Sequence, residues 1–255
     1  MYRGKRVAVV IPALNEELAI VQVVTHLFKL MGNEGQAVID QIVVCDNGST
    51  DNTATMASQL GAKVVYQGTP GYGIACLTGI ENVALCDIVL FIDGDDSCFV
   101  PQALPLLDAI VDGAKLAIGS RTLGKIDKGA LTPIQRFGNW LASTLIKTIW
   151  RYPVTDLGPF RAIDYSALDK LDMQDKTFGW TVEMQVKAIL HKFKIVECPV
   201  DSKVRIGESK ISGTLSGTVG AGIGILSMIA KLRFKQRTYL LNCAKNDFKA
   251  SESQI

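Results

Sequence analysis

The 255 residues read as an α/β fold, with helices over both faces of a mixed, mostly parallel central sheet. Three observations predict it. Short β-branched runs alternate with helically spaced apolar residues across the first 92 positions. The run Ile88-Val89-Leu90-Phe91-Ile92 is apolar at every position, as a strand buried on both faces must be. That run breaks off into Asp93-Gly94-Asp95-Asp96, and ligands of such sheets bind outside the carboxyl ends of the strands.

The elements follow in order. Arg6–Ile11 is a first buried strand, ended by Pro12. Ile20, Val23, Val24, Leu27 and Leu30 recur at helical spacing. Asn15 and Glu16 stand at the junction, where side chains reach a ligand over the sheet edge or simply cap the helix. Gln41–Cys45 is a second strand. Asp46 at its end is placed to accept a hydrogen bond from a nucleobase N–H, and Ser49–Asp51 suit the N-cap of a helix through Met56 and Leu60. Ala62–Tyr66 is a third strand. Gly71 and Gly73 open the next helix, where backbone N–H groups approach phosphate or merely turn the chain. No G-x-G-x-x-G follows the first strand and no P-loop is present, so the nucleotide is expected on acidic side chains and a metal.

Beyond the acidic turn, Pro101–Val111 is a helix and Lys115–Arg121 a strand ending in arginine. Residues 122–132 are polar and Gly-rich, a candidate lid. A long helix from Ile134 to Trp150 carries Arg136, Asn139 and Trp140 early on. A strand near Arg161, a helix at Ser166–Leu171, a helix from Gly179 with Glu183 in its first turn, and a strand at Ile195–Val200 complete the pattern. Residues 211–230 carry no charge, but only about 12 are strongly apolar against the roughly 20 needed to span a bilayer. Val219–Phe234 therefore reads as a helix that lies on a membrane or packs on the domain, within a candidate interfacial stretch 211–235. One domain is expected over 1–235, then a polar tail over 236–255, disordered from Lys245.

Asp93 and Asp95, one residue apart on a chain leaving a strand, can converge on one hard divalent cation, Mg²⁺ or Mn²⁺. An acidic turn that only ends the strand is the plain alternative. The net charge of +2 argues for no nucleic-acid partner. Between Lys187 and Arg237, however, ten Lys or Arg face only Glu197, Asp201 and Glu208, as suits phosphate groups, an anionic membrane or a solvated basic face. Six scattered cysteines without a Cys-x-x-Cys pair read as reduced, buried thiols of a cytoplasmic protein, and no secretory leader is evident.

Val10-Ile11-Pro12-Ala13-Leu14-Asn15-Glu16-Glu17, Cys45-Asp46-Asn47-Gly48-Ser49-Thr50-Asp51, Asp93-Gly94-Asp95 and Gly119-Ser120-Arg121 together resemble the family 2 glycosyltransferases of GT-A, Rossmann-like fold. Asp156-Leu157-Gly158-Pro159-Phe160-Arg161, Val182-Glu183-Met184 and Arg205-Ile206-Gly207-Glu208-Ser209-Lys210 resemble, within them, the polyprenyl (dolichyl) phosphate mannose and glucose synthases. The resemblance implies nucleotide binding by Pro12, Ala13, Glu16 and Asp46, with the metal of a UDP- or GDP-hexose on Asp93 and Asp95. It implies Arg121, Arg136, Arg205 and Lys210, with Ser209, around the donor and acceptor phosphates. The membrane-spanning tail usual in that branch has no counterpart in these residues, so a peripheral place on the cytoplasmic face of a membrane is expected. Ser97-Cys98-Phe99 replaces the polar and proline residues usual after the acidic pair, and no ligand beyond Asp93 and Asp95 is named.

The expected reaction is transfer of a hexose from a nucleotide-sugar to a polyprenyl phosphate by metal-assisted, inverting displacement. Asp95, Arg121 and Arg205 would serve the leaving diphosphate. A phosphate acceptor is already anionic and needs no base. A hydroxyl acceptor would need one, Glu183 or Asp156, although Glu183 also reads as a helix cap.

Overall fold

The computed structural model describes residues 1–32, 34–207 and 215–252, without the side chains of 215–219 and 242–252. Seven strands form one sheet: β1 (Val7–Ala13), β2 (Gln41–Asp46), β3 (Lys63–Tyr66), β4 (Ile88–Phe91), β5 (Leu116–Ser120), β6 (Arg161–Asp164) and β7 (Ile195–Pro199). Their order is β3-β2-β1-β4-β6-β5-β7, with β6 alone antiparallel to its neighbours β4 and β5. The helices are α1 (Glu17–Phe28), α2 (Thr53–Gln59), α3 (Tyr72–Glu81), α4 (Ala103–Val111), α5 (Pro133–Trp150), α6 (Tyr165–Leu171), α7 (Trp180–Leu190) and α8 (Leu215–Glu252).

Alternation along β1 builds both faces. Val7, Val9, Ile11 and Ala13 point into one core with α1 and α4, where Ile20, Val23, Leu27, Leu106 and Leu107 are buried. Ala8 and Val10 point into the other, with Cys76 of α3 and with Trp180 and Met184 of α7. A third cluster joins α5, α7 and α8 through Ile146, Val182, Val186, Met228, Ile229 and Leu232.

The chain winds outward from β1 through β2 to β3 and then returns to lay β4 on the other side of β1. The carboxyl ends of β1 and β4 thus diverge at a topological switch point, the place where such sheets open a crevice. Pro12 does not end β1, contrary to the sequence expectation. Val10 accepts a hydrogen bond from Ile92, so even-numbered residues of β1 face β4, and β4 has ended by the time Pro12 arrives. Its missing N–H leaves no ladder partner wanting.

One further expectation changes at the carboxyl end. Residues 245–252 are helical rather than disordered, because α8 runs as one helix from Leu215 to Glu252. After Gly224 the sequence offers neither Gly nor Pro to stop it. The candidate interfacial stretch lies partly in α8, and there Met228, Ile229 and Leu232 are buried against the domain. Residues 211–214 lie outside the described residues. Among the described residues no helix is long and apolar enough to cross a membrane.

Candidate active site

The crevice at the switch point is lined on one side by Pro12, Ala13, Leu14 and Glu16 after β1, and on the other by Asp93, Gly94 and Asp95 after β4. This cavity of about 260 Å³ is closed by Pro70, Gly71, Tyr72 and Phe178. Asp93, Asp95 and Arg205 also line a second cavity of about 400 Å³, which runs past Ser97, Cys98, Arg121 and Gln135. Arg121 and Leu131 lead on into a third of about 520 Å³, lined by Arg136, Asn139, Trp140 and Lys147. One continuous cleft thus has the carboxylate pair at its first constriction.

Sequence-distant segments set the pair. Asp95 Oδ1 accepts a hydrogen bond from Ser97 N at 3.0 Å, and Tyr72 Oη donates to Asp93 Oδ1 at 3.1 Å. The segment 202–206 is laced along the acidic loop: Lys203 N donates to Ser97 O and Ile206 N to Asp95 O. It delivers Lys203 onto Asp96 at 2.6 Å and Arg205 between Glu16, at 2.5 Å, and Asp95, at 3.3 Å. Among the described residues, four carboxylates (Glu16, Asp93, Asp95, Asp96) stand here with Lys203 and Arg205. Burial, and next the neighbouring Asp95, push the Asp93 carboxyl up to about 7. The buried Oδ1 of Asp96 has no hydrogen-bond partner. Clustered hard oxygen donors of this kind fit a divalent cation. No group of three or more metal-ligating side chains occurs among the described residues, so phosphate oxygens would have to complete its shell.

Other residues named from sequence are placed differently. Asn15 lies outside the cavity lining: its Oδ1 accepts from Thr50 N at 2.8 Å and its own N donates to Ser49, so it staples the loop after β1 to the loop after β2. Asp46 Oδ1 is turned onto Ser49 N at 3.0 Å, and it is Asn47 that lines the cavity. Asn47 also shapes the far wall, donating to Gln67 O and Thr69 O and accepting from Gly71 N. Gly73 does not offer its N–H to phosphate. It donates to Thr177 O at 3.0 Å, and a Cβ there would stand 2.2 Å from Asp175 O. The glycine is needed for close approach of the loop before α7, which caps α3.

Glu183 is not in the cleft. It is 2% exposed, pairs with Lys187 at 2.8 Å and accepts from the backbone N of Gln174 and Asp175. Its place on the core-facing turn of α7 removes it from any substrate. Asp156 is fully buried and held by Arg121 through Nε at 2.8 Å, Nη2 at 2.7 Å and the backbone N at 2.7 Å. Burial opposes ionisation of this carboxyl, but the Arg121 contacts outweigh it and hold the group below the usual carboxylate range. Neither is placed as a base. Arg121 faces the second and third cavities, and Arg136, exposed on the first turn of α5, lines the third. Ser209 and Lys210 lie outside the described residues. The loop 122–132 is tethered at its start, where Lys125 N donates to Asp201 and Asp127 N to Ser202 O.

Sequence reasoning missed Tyr72, Phe178 and Lys203, single residues with no local pattern. It quoted Arg161 without a role. That guanidinium is wholly buried, donates to the carbonyls of Gly158 and Thr181, and is pushed down to about 10 by burial. It ties the turn after Asp156 to α7.

Comparison with known proteins matches residues 8–172 to the model of glycosyl transferase family 2. An uncharacterized glycosyltransferase of Mycobacterium tuberculosis is 33% identical over 229 residues, covering 89% of this chain and 99% of the relative. A dolichyl-phosphate hexose transferase of Haloferax volcanii is 30% identical over 239 residues, covering 91% and 98%. Among solved structures, glucosyl-3-phosphoglycerate synthase of M. tuberculosis with Mn²⁺, UDP and glucosyl-3-phosphoglycerate superposes with a TM-score of 0.68 at 22% identity, covering 89% of this chain and 81% of that one. The fold is that of the GT-A glycosyltransferases.

Proposed function

The chain belongs to glycosyl transferase family 2, the nucleotide-sugar-dependent glycosyltransferases, and from that premise we propose that it transfers a hexose to the phosphate of a polyprenyl, dolichyl-type lipid. One observation carries the choice of a phosphate acceptor. Among the described residues, every carboxylate lining the cleft beyond the metal pair is already engaged, Glu16 with Arg205. Asp156 holds Arg121, and Asp201 accepts from Lys125 N at 2.7 Å and from Gln102 Nε2 at 3.0 Å. Among the described residues a hydroxyl nucleophile would find no base, whereas a phosphate monoester, with a second pKa near 6, is an anion at neutral pH. The full-length likeness to a dolichyl-phosphate hexose transferase supports the same acceptor.

In this reading the donor lies in the first cavity, its base between Leu14, Asn47 and Pro70 and its diphosphate at Asp93, Asp95 and Arg205. A divalent cation on Asp93 and Asp95, Mg²⁺ or the Mn²⁺ seen with UDP in the superposed synthase, would neutralise charge on the leaving diphosphate. The acceptor phosphate would lie where the second cavity meets the third, aimed by Arg121, which lines both, and by Arg136, which lines the third. Its oxygen bonds to the anomeric carbon as the bond to the donor diphosphate breaks, and the diphosphate leaves with the electron pair. The configuration inverts. Arg205 stands where the new charge on the diphosphate develops.

The lipid chain would leave through the third cavity toward α5, whose first turns expose Ile134, Phe137 and Trp140 at 58–60%. With Arg136 and Lys147 beside them, these residues suit peripheral binding to an anionic, cytoplasmic membrane face. The test is a mass-spectrometric transfer assay with UDP-glucose and GDP-mannose, Mg²⁺ or Mn²⁺, and either a short polyprenyl phosphate or 3-phosphoglycerate. A metal-dependent glycosyl phospholipid, lost in Asp95→Asn, is the expected product. Transfer to 3-phosphoglycerate alone would overturn the lipid acceptor.

A further inference from the structure

Arg205 stands in an unusual place for a residue assigned to phosphates. Its Nη2 lies 2.5 Å from Glu16 after β1, and its Nη1 lies 3.3 Å from Asp95 of the metal pair. The guanidinium thus spans the mouth of the donor cavity from one wall to the other, and among the described residues its buried Nε has no hydrogen-bond partner. The segment that carries it is fixed to the acidic loop at Lys203 and Ile206, so the side chain alone must swing for the contact to change.

We propose that Arg205 is a resident counter-ion of the donor site, displaced from Asp95 only when metal and nucleoside diphosphate arrive together. The inference rests on the reading that Asp93 and Asp95 hold the cation. A divalent ion approaching Asp95 alone competes with Nη1 and meets a like charge at close range. The diphosphate reverses both effects. Its oxygens complete the metal shell, and they accept the displaced guanidinium, whose planar fork and orphaned Nε suit phosphate. Metal and nucleotide therefore bind cooperatively, and by linkage each raises the affinity of the other by the same factor. A further consequence is order in the cycle: a metal ion does not settle on the pair until there is a leaving group for it to serve.

The test is Mn²⁺ binding, followed by electron paramagnetic resonance of the free ion, with and without saturating UDP or GDP and without any acceptor. Wild type is expected to bind Mn²⁺ at least about 10-fold more tightly with one of the nucleotides, within the usual range of coupling between sites. Arg205→Gln is expected to bind Mn²⁺ alone about 10-fold more tightly than wild type and to lose the same factor from the coupling, leaving only the part that the diphosphate oxygens supply directly. Arg205→Lys keeps one charge without the fork and should fall between them. Mn²⁺ affinity in wild type that ignores both nucleotides, or an Arg205→Gln protein that is folded by circular dichroism yet binds Mn²⁺ no better alone, would overturn the proposal. Failure of the underlying reading looks different: Asp95→Asn would then bind Mn²⁺ with nucleotide as wild type does.

Discussion

Asp93 is a buried carboxylate beside a second one, and its carboxyl is pushed up to about 7. The folded state therefore holds this proton more tightly than the unfolded chain, whose Asp titrates near 3.9. With the cation chelated, Asp93 leaves stability unaffected below about pH 4 and lowers it progressively as pH rises to about 7. Asp93→Asn in EDTA is expected to melt a few degrees above wild type at pH 8, at about 2–4 °C per kcal/mol, and level with it near pH 4. Equal melting temperatures at pH 8 would show that the carboxylate is solvated. Asp156 is the opposite case. It is buried on the guanidinium of Arg121 and held below its ordinary range, so its contribution is present above about pH 4 and lost as pH falls further. Asp156→Asn leaves Arg121 poorly matched, and the urea midpoint should fall by the equivalent of about 3 kcal/mol.

At the scale of elements, α7 and α8 separate structural from chemical roles. Glu183 on α7 joins Lys187 and the amides of Gln174 and Asp175, and so holds the loop that caps α3. Glu183→Gln is expected to lower stability while leaving kcat per folded molecule within about threefold; a loss beyond the roughly 100-fold due to a true general base would return it to the chemistry. Gly73→Ala places a methyl against Asp175 O across the same joint, and should weaken donor binding as well as stability, measured by UDP titration and melting. On α8, Leu232→Ala opens a cavity in the third cluster and should destabilise the protein by about 2–4 kcal/mol, whereas Phe234→Ser, at a position 86% exposed, should be neutral in denaturation.

On the proposed reading, the whole molecule places donor and acceptor on opposite sides of one carboxylate pair. The switch point between β1 and β4 makes the donor cavity, and the antiparallel β6 brings Arg161 and the turn from Asp156 to Gly158 beside β5 and Arg121, which wall the acceptor side. Because both cavities share Asp93, Asp95 and Arg205, substitution there should affect donor binding and transfer together. Arg136 lines only the third cavity. Arg136→Ala is therefore expected to raise the KM for a polyprenyl phosphate by about tenfold with donor binding unchanged, the loss of one charge-assisted contact. An altered affinity for the donor instead would place Arg136 on the wrong side of the pair.

The sequence by itself determined what is local and periodic. The alternation of strands and helices specified an α/β sheet. The uninterrupted apolar run at Ile88–Ile92 marked a strand covered on both faces, and its acidic end marked the ligand edge. The quoted motifs specified the family, because the residues that carry them line the cavity from the short loops after β1 and β4, where chain order and spatial order coincide. Only the tertiary structure decided which charged groups are free. Glu183 and Asp156 look like bases in the sequence, and each is neutralised by a partner that folding supplies, Lys187 one turn away and Arg121 35 residues away. Arg205 meets Glu16 across 189 residues, and Tyr72 reaches Asp93 from another helix. Pairings at that separation leave no trace in composition or spacing. They arise from how the sheet is wound, and the availability of a charge for chemistry depends on them.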